Sequence, residues 1–152
     1  MRAIERKLAE LNIVLPEPSA AVATYVPFVI SGNLVFVSGQ VSIAAGRVIT
    51  GRLGAELDVE AGARAARACG LNLLAQLKAA IGDLDRVRRV VKLGAFVNST
   101  PEFADHPKVA NGASDLMVAV FGEAGKHARA AIGAPSLPLG AAIEIDGVFE
   151  IE

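Results

Sequence analysis

A few polar residues stand where the surrounding pattern is apolar, and they are the ones to read for chemistry. Arg129 opens a C-terminal apolar run, and Glu144 follows fifteen residues later, beyond Leu137-Pro138-Leu139-Gly140. A guanidinium fixes anions through a planar fork of donors, and a carboxylate can carry a proton, so together they would suit an anionic substrate that exchanges protons. Two antiparallel strands joined by that turn would bring both groups into one cleft. A salt bridge, or two unrelated surface charges, explains the same spacing. Ser38, within Phe36-Val37-Ser38-Gly39-Gln40, reads either as a cleft hydroxyl or as a group that satisfies backbone at a bulge near Gly39. Tyr25 reads either as a cleft phenol or as a half-buried strand residue with a wet hydroxyl.

Missing signatures narrow the chemistry further. The two histidines, His106 and His127, follow no metal-ligand spacing and have no cysteine partners, so no metal site is expected and each reads as a solvated loop residue. The sequence contains no Walker A loop, no G-x-S-x-G elbow and no G-x-G-x-x-G turn after a strand, so no nucleotide cofactor or serine nucleophile is indicated. No cofactor of any kind is expected. The single cysteine, Cys69, cannot form an internal disulfide and fits a small core position in a reducing compartment. Fifteen basic against sixteen acidic residues give a net charge of -1, without the basic stripe that nucleic acid requires. No uncharged apolar run is long enough to span a membrane, and the first residues alternate in charge where a signal peptide would be apolar, so a cytoplasmic protein is expected.

The elements that must position these residues can be read from periodicity. Ile4, Leu8 and Leu11 form one helical stripe ended by Pro16 and Pro18, which reads as a short docking helix and a linker. Two extended runs, from Tyr25 and from Leu34 to Val41, flank Ser31-Gly32-Asn33 and predict a hairpin. Another short strand is expected near residues 47–50. Asp58 is a plausible N-cap, and Val59, Ala63, Ala66, Gly70, Leu73, Leu77 and Ile81 recur at helical steps up to Gly82. That predicts a long helix whose small-residue face lies against a sheet. Residues 87–97 are β-branched and apolar on both faces apart from Lys92, which predicts an interior strand. A second helix follows Pro107 and runs to about Gly122. In the last segment Ile143, Ile145 and, after a slip at Gly147, Val148 are expected on one face, with Glu144 and Asp146 on the other.

This order of elements argues for one α+β domain, a mixed sheet with two helices packed on one face. The other face poses a physical problem, because 53% of the residues are hydrophobic and the mean hydropathy is +0.46. Burying roughly 800 Å² per partner in self-association would cover it.

Two motifs then point to a family. The segment GNLVFVSGQV at 32–41 resembles the G-N-x-hydrophobic-S-G-Q signature of the Rid (YjgF/RidA) family, and RAAIGAPSLPLGAAIEID at 129–146 resembles its closing R-x(7)-L-P-x(5)-E segment. Tyr25 precedes Ser38 by thirteen residues and Glu144 follows Arg129 by fifteen, as in deaminase members. The resemblance covers roughly residues 22–152, with 1–21 as an extension. It implies a chorismate-mutase-like fold and a homotrimer whose sheets form an inner barrel, with a ligand cleft at each subunit interface. It further implies that Arg129 binds the substrate carboxylate and Glu144 activates water. Tyr25 and Ser38 would line the cleft, and the Ala131 backbone would hold ligand or water. Asn111 matches a family asparagine before the second helix, although its spacing to Arg129 departs from the usual pattern. Ala131 stands where many deaminase members have cysteine and His127 where they have proline, which places the chain in a divergent branch.

The activity so implied is hydrolysis of 2-imino or enamine carboxylic acids to 2-oxo acids and ammonia. Such a substrate carries one permanent anion and one electrophilic carbon, so Arg129 can fix the first while water attacks the second. Two alternatives use the same residues differently: non-catalytic binding of a small carboxylate metabolite at the subunit interfaces, and the ribonuclease activity ascribed to some members. The charge balance and the lack of a paired catalytic histidine speak against RNA.

Overall fold

The computed structural model describes residues 2–21 and 24–152. Its elements follow the order helix α1 (Ala3–Glu10), strands β1 (Phe28–Ser31), β2 (Leu34–Val41), β3 (Ile43–Ala44) and β4 (Arg47–Val48), helix α2 (Val59–Ile81), strand β5 (Val87–Asn98), helix α3 (His106–Phe121), and strands β6 (Ala128–Ala134) and β7 (Ile143–Ile151). Local chemistry sets the boundaries. Ser31 pairs with Leu34 across a two-residue turn in which Gly32 takes a φ of 61°, a conformation that glycine adopts without steric cost. The Asp58 carboxylate accepts from the Ala61 amide at 2.8 Å and starts α2, and Gly82 ends it at a φ of 80°. Pro107 sits in the first turn of α3, where its missing N–H has no intrahelical partner to lose.

The main sheet has the order β1-β2-β7-β5-β6. Only β5 and β6 run parallel; the other neighbours are antiparallel. Helices α2 and α3 cover one face, and the core between them and the sheet includes Leu73, Leu77, Met117, Ile145 and Phe149. Cys69 is part of that core, with its thiol 3.4 Å from the Ile143 carbonyl, and burial pushes the thiol pKa up. Part of the small-residue face of α2 serves the other helix rather than the sheet. A Cβ on Gly70 would press on Leu116 and Ala113, and one on Gly112 of α3 would enter the Ala63 carbonyl.

One detail differs from the sequence reading. Strand β7 has no slip at Gly147: Ile143, Ile145, Gly147, Phe149 and Ile151 are all buried, and Val148 shares the open face with Glu144 and Asp146. Phe149 fills the core position that the slip would have given to Val148. The extra residues lie in the partners of β7: β2, where Val37 pairs with Gly147 and Gln40 with Ile145, bulges at Ser38-Gly39, as one reading of Ser38 had it, and β5 shifts register at residues 87–89 and 90–92.

Candidate functional site

Register decides which face each polar residue occupies. Glu144 pairs with Val41 on one side and Phe96 on the other, and Phe96 pairs with Ile132. This row lies on the face that the helices leave open. Arg129 pairs with Leu93, a core residue, and Leu93 pairs with Gly147, so Arg129 projects on the helix side. Strand β5 also separates the two strands, so the turn through Leu137-Pro138 does not make them neighbours. Within one protomer, therefore, the guanidinium and the carboxylate are parts of two different surfaces.

The Glu144 surface is a cavity of about 580 Å³. Its walls come from Ser19 to Ala21, from Tyr25 and Pro27, from the bulge with Gly39 and Val41, and from Pro138 and Leu139. Gly39 is needed where it is, because a Cβ there would collide with the Glu144 carboxylate. Burial pushes the Glu144 carboxyl above the ordinary value, and the nearby Asp146 charge adds to the shift. Ser38 is spent on backbone: its hydroxyl donates to the Val26 carbonyl at 2.7 Å, and its amide donates to the Pro27 carbonyl at 2.8 Å. These bonds hold the segment that carries Tyr25 along the cavity wall.

The Arg129 surface lies at the sheet edge beside α3. Nη1 donates to Asn111 Oδ1 at 2.9 Å and to Ser114 Oγ at 3.1 Å, and Nη2 donates to the Pro107 carbonyl at 3.4 Å. These bonds take three of the five N–H groups of the guanidinium and fix its plane. His127 backs the arrangement, with Nδ1 2.6 Å from the Gly125 carbonyl and Nε2 2.8 Å from Ser114 Oγ. A carbonyl can only accept, so Nδ1 carries a proton, and in the neutral ring Nε2 is then the acceptor for the serine hydroxyl. Asn111, which lies within α3 and not ahead of it, and Arg129 are thus brought together. Ala131, two residues along β6, packs against the core and pairs with Ala95.

Neither histidine is a solvated loop residue. Both are half-buried, and His106 opens α3 with its ring edge-on to Phe103 at 5.3 Å. Ser114 was missed by sequence reasoning, although it lies three residues after Asn111 and so shares its helix face. His127 stands two residues before Arg129, which was a second available signal. Among the described residues, no three His, Cys, Asp or Glu side chains gather as metal ligands.

This geometry can be set beside known proteins. A family model described as "YjgF/chorismate_mutase-like, putative endoribonuclease" matches residues 5–149. The chain belongs to the Rid (YjgF) family. Among Rid relatives, it is 51% identical over 150 residues to protein TCP17 of Trypanosoma cruzi, which covers 97% of this chain and 94% of that one. Protein Atu1372 of Agrobacterium tumefaciens shares 51% identity with a TM-score of 0.91, over 98% of this chain and 92% of the other. A protein from Shewanella oneidensis MR-1 shares 36% identity with a TM-score of 0.95, over 99% of this chain and 100% of the other. The α+β Rid fold, a mixed sheet with helices on one face, is therefore that of this chain. Among the described residues, no helix is long and apolar enough to cross a membrane.

Proposed function

We propose that this Rid protein hydrolyses reactive 2-imino and enamine carboxylic acids to 2-oxo acids and ammonia, at sites shared between the protomers of a homotrimer. One protomer would contribute Arg129, steadied by Asn111, and the Ala131 backbone. Its neighbour would contribute Glu144, Tyr25 and the wall that Ser38 holds in place. The observation that carries this reading is the division of labour in the protomer: a fixed guanidinium with N–H groups to spare, and a separate cavity whose carboxylate has a raised pKa.

The chemistry follows from those groups. The guanidinium holds the substrate carboxylate and leaves the C2=N bond beside Glu144. Glu144 accepts a proton from water as the water oxygen bonds to C2 of the protonated imine, and the electrons of the C=N bond move to nitrogen to give a carbinolamine. Protonated Glu144 then returns the proton to nitrogen, the C–N bond breaks with its electrons on the departing ammonia, and the C2 hydroxyl gives its proton to Glu144 as it becomes the carbonyl. A carboxyl raised from its ordinary value suits both halves of this exchange near neutral pH.

Ammonia release from an imine generated in place by an amino acid oxidase tests the reading. Arg129→Ala should lose charged hydrogen bonds worth about 1.5 to 3 kcal/mol each, so kcat/KM should fall roughly tenfold or more. Glu144→Gln should still bind the 2-oxo product but slow turnover. Wild-type rates in both variants would sink the proposal. Saturable binding of the 2-oxo acid without any acceleration would favour the binding-module alternative.

A further inference from the structure

We infer that the cavity beside Glu144 receives the substrate's side chain, and that its substrates are imino acids with large aliphatic or aromatic side chains. This rests on the proposed hydrolase site and specifies which substrates it takes.

The lining sets the orientation. Glu144 is the one carboxylate in the cavity wall, and no lysine, arginine or histidine accompanies it among the described residues. A substrate carboxylate pushed into that space would face a like charge without a counter-ion, so it must point outward, toward a guanidinium. The side chain is left to enter. Around it stand Ala20, Ala21, Pro27, Val41, Ile43 and Pro138, which offer hydrocarbon and no charge. An ammonium or carboxylate at the end of a side chain would lose its water here without a partner. The methyl of an alanine-derived imine would leave most of that hydrocarbon lining uncovered.

Leu139 is a second and independent sign. It is held at a φ of 62°, a region that non-glycine residues seldom occupy, and it is 72% exposed in the cavity wall. Asparagine or glycine would fit that turn with less strain, and a polar residue would suit the exposure. A leucine there makes sense as a contact for an apolar group. The opposite wall is tied from behind, since the buried Gln76 of α2 donates Nε2 to the Ser19 carbonyl at 2.7 Å. The segment ahead of the hairpin thereby becomes part of the specificity pocket.

The test compares imines derived from alanine, leucine and phenylalanine, and in parallel measures binding of the matching 2-oxo acids by calorimetry. Each methylene buried in the cavity should raise kcat/KM about fourfold, so the leucine- and phenylalanine-derived imines should exceed the alanine-derived one by roughly tenfold or more. Affinities for 4-methyl-2-oxopentanoate and phenylpyruvate should exceed that for pyruvate in the same order. Leu139→Asn fits the turn, so the folded protein should melt no lower than wild type while its discrimination shrinks. Equal kcat/KM and equal affinities across the series in wild type would overturn the inference and leave the hydrolase reading intact. Graded affinities without hydrolysis of any imine would uphold the pocket and remove the hydrolase reading instead.

Discussion

Glu144 shows how much one side chain depends on its neighbours. Its carboxylate lies over Gly39, at the bulge that Ser38 fixes by bonding to Val26, and its charged form is disfavoured first by burial and then by Asp146. A carboxyl whose pKa is higher in the folded than in the unfolded state contributes stability that is complete below the unfolded value and is lost as pH rises through the folded one. The ordinary value is 4.5. Glu144→Gln stays neutral, so it should melt above wild type at about pH 7, and the gap should close as pH falls to the unfolded value and below. Thermal melts across that range check this. A gap of opposite sign would mean that a cation, such as Arg129 of a neighbouring protomer, outweighs burial and Asp146. At the same scale, Arg129 and Asn111 were legible as site residues, but Ser114 and His127 were not read as their partners. A serine that bridges a helix and a strand leaves no periodic trace.

Helix α1 depends on contacts that are distant in sequence. No side chain caps its N-terminus from within the segment; instead the Asp85 carboxylate, from the turn before β5, accepts from the Ile4 amide at 2.8 Å and the Ala3 amide at 3.1 Å. Arg2 pairs with Asp83 beside it, and Leu8 is buried in the core. Asp85→Ala should cost about 1 kcal/mol, the usual loss on removing an N-cap, and urea unfolding should show a lower midpoint at an unchanged slope. An unaltered midpoint would mean that α1 is held by packing alone. The apolar stripe of α1, the span of α2 and the hairpin could be read directly, since each is written in periodicity and end signals. The bulge near Gly39 was one of the two readings of Ser38, whereas the unbroken alternation of β7 was not read and a slip was placed at Gly147 instead. Which strand of a pair takes the extra residue is a property of the pair, not of either segment.

For the whole molecule the open sheet face is decisive. Phe36 pairs with Val29 and Val148, and these together with Ile132 leave apolar side chains on the face opposite the helices; Val29 is 52% exposed, Phe36 44% and Ile132 53%. Surfaces of this kind in soluble proteins are usually covered, and the proposed homotrimer would cover this one. Sedimentation should then report three times the protomer mass, and Phe36→Asp should lower it. The shared site makes a sharper prediction. Arg129→Ala and Glu144→Gln protomers, unfolded and refolded together, should recover about a quarter of wild-type activity, because random assembly places an intact Arg129 against an intact Glu144 at that share of interfaces. Each variant refolded alone should recover about a tenth or less. Absence of recovery in the mixture would place both groups of a site within one chain.

Sequence alone determined the elements, their order, the two Rid motifs and the identity of the polar residues worth following, because helix and strand periodicity, caps and turns are written within a few residues of one another. Tertiary structure decided that β5 lies between the strands of Arg129 and Glu144, that these residues face opposite sides of the sheet, and that Ser19 to Ala21 wall a cavity beside Glu144. Strand order and register come from pairings between segments far apart in the chain, and a single bulge or an intervening strand changes what a side chain meets without changing the residues next to it in sequence.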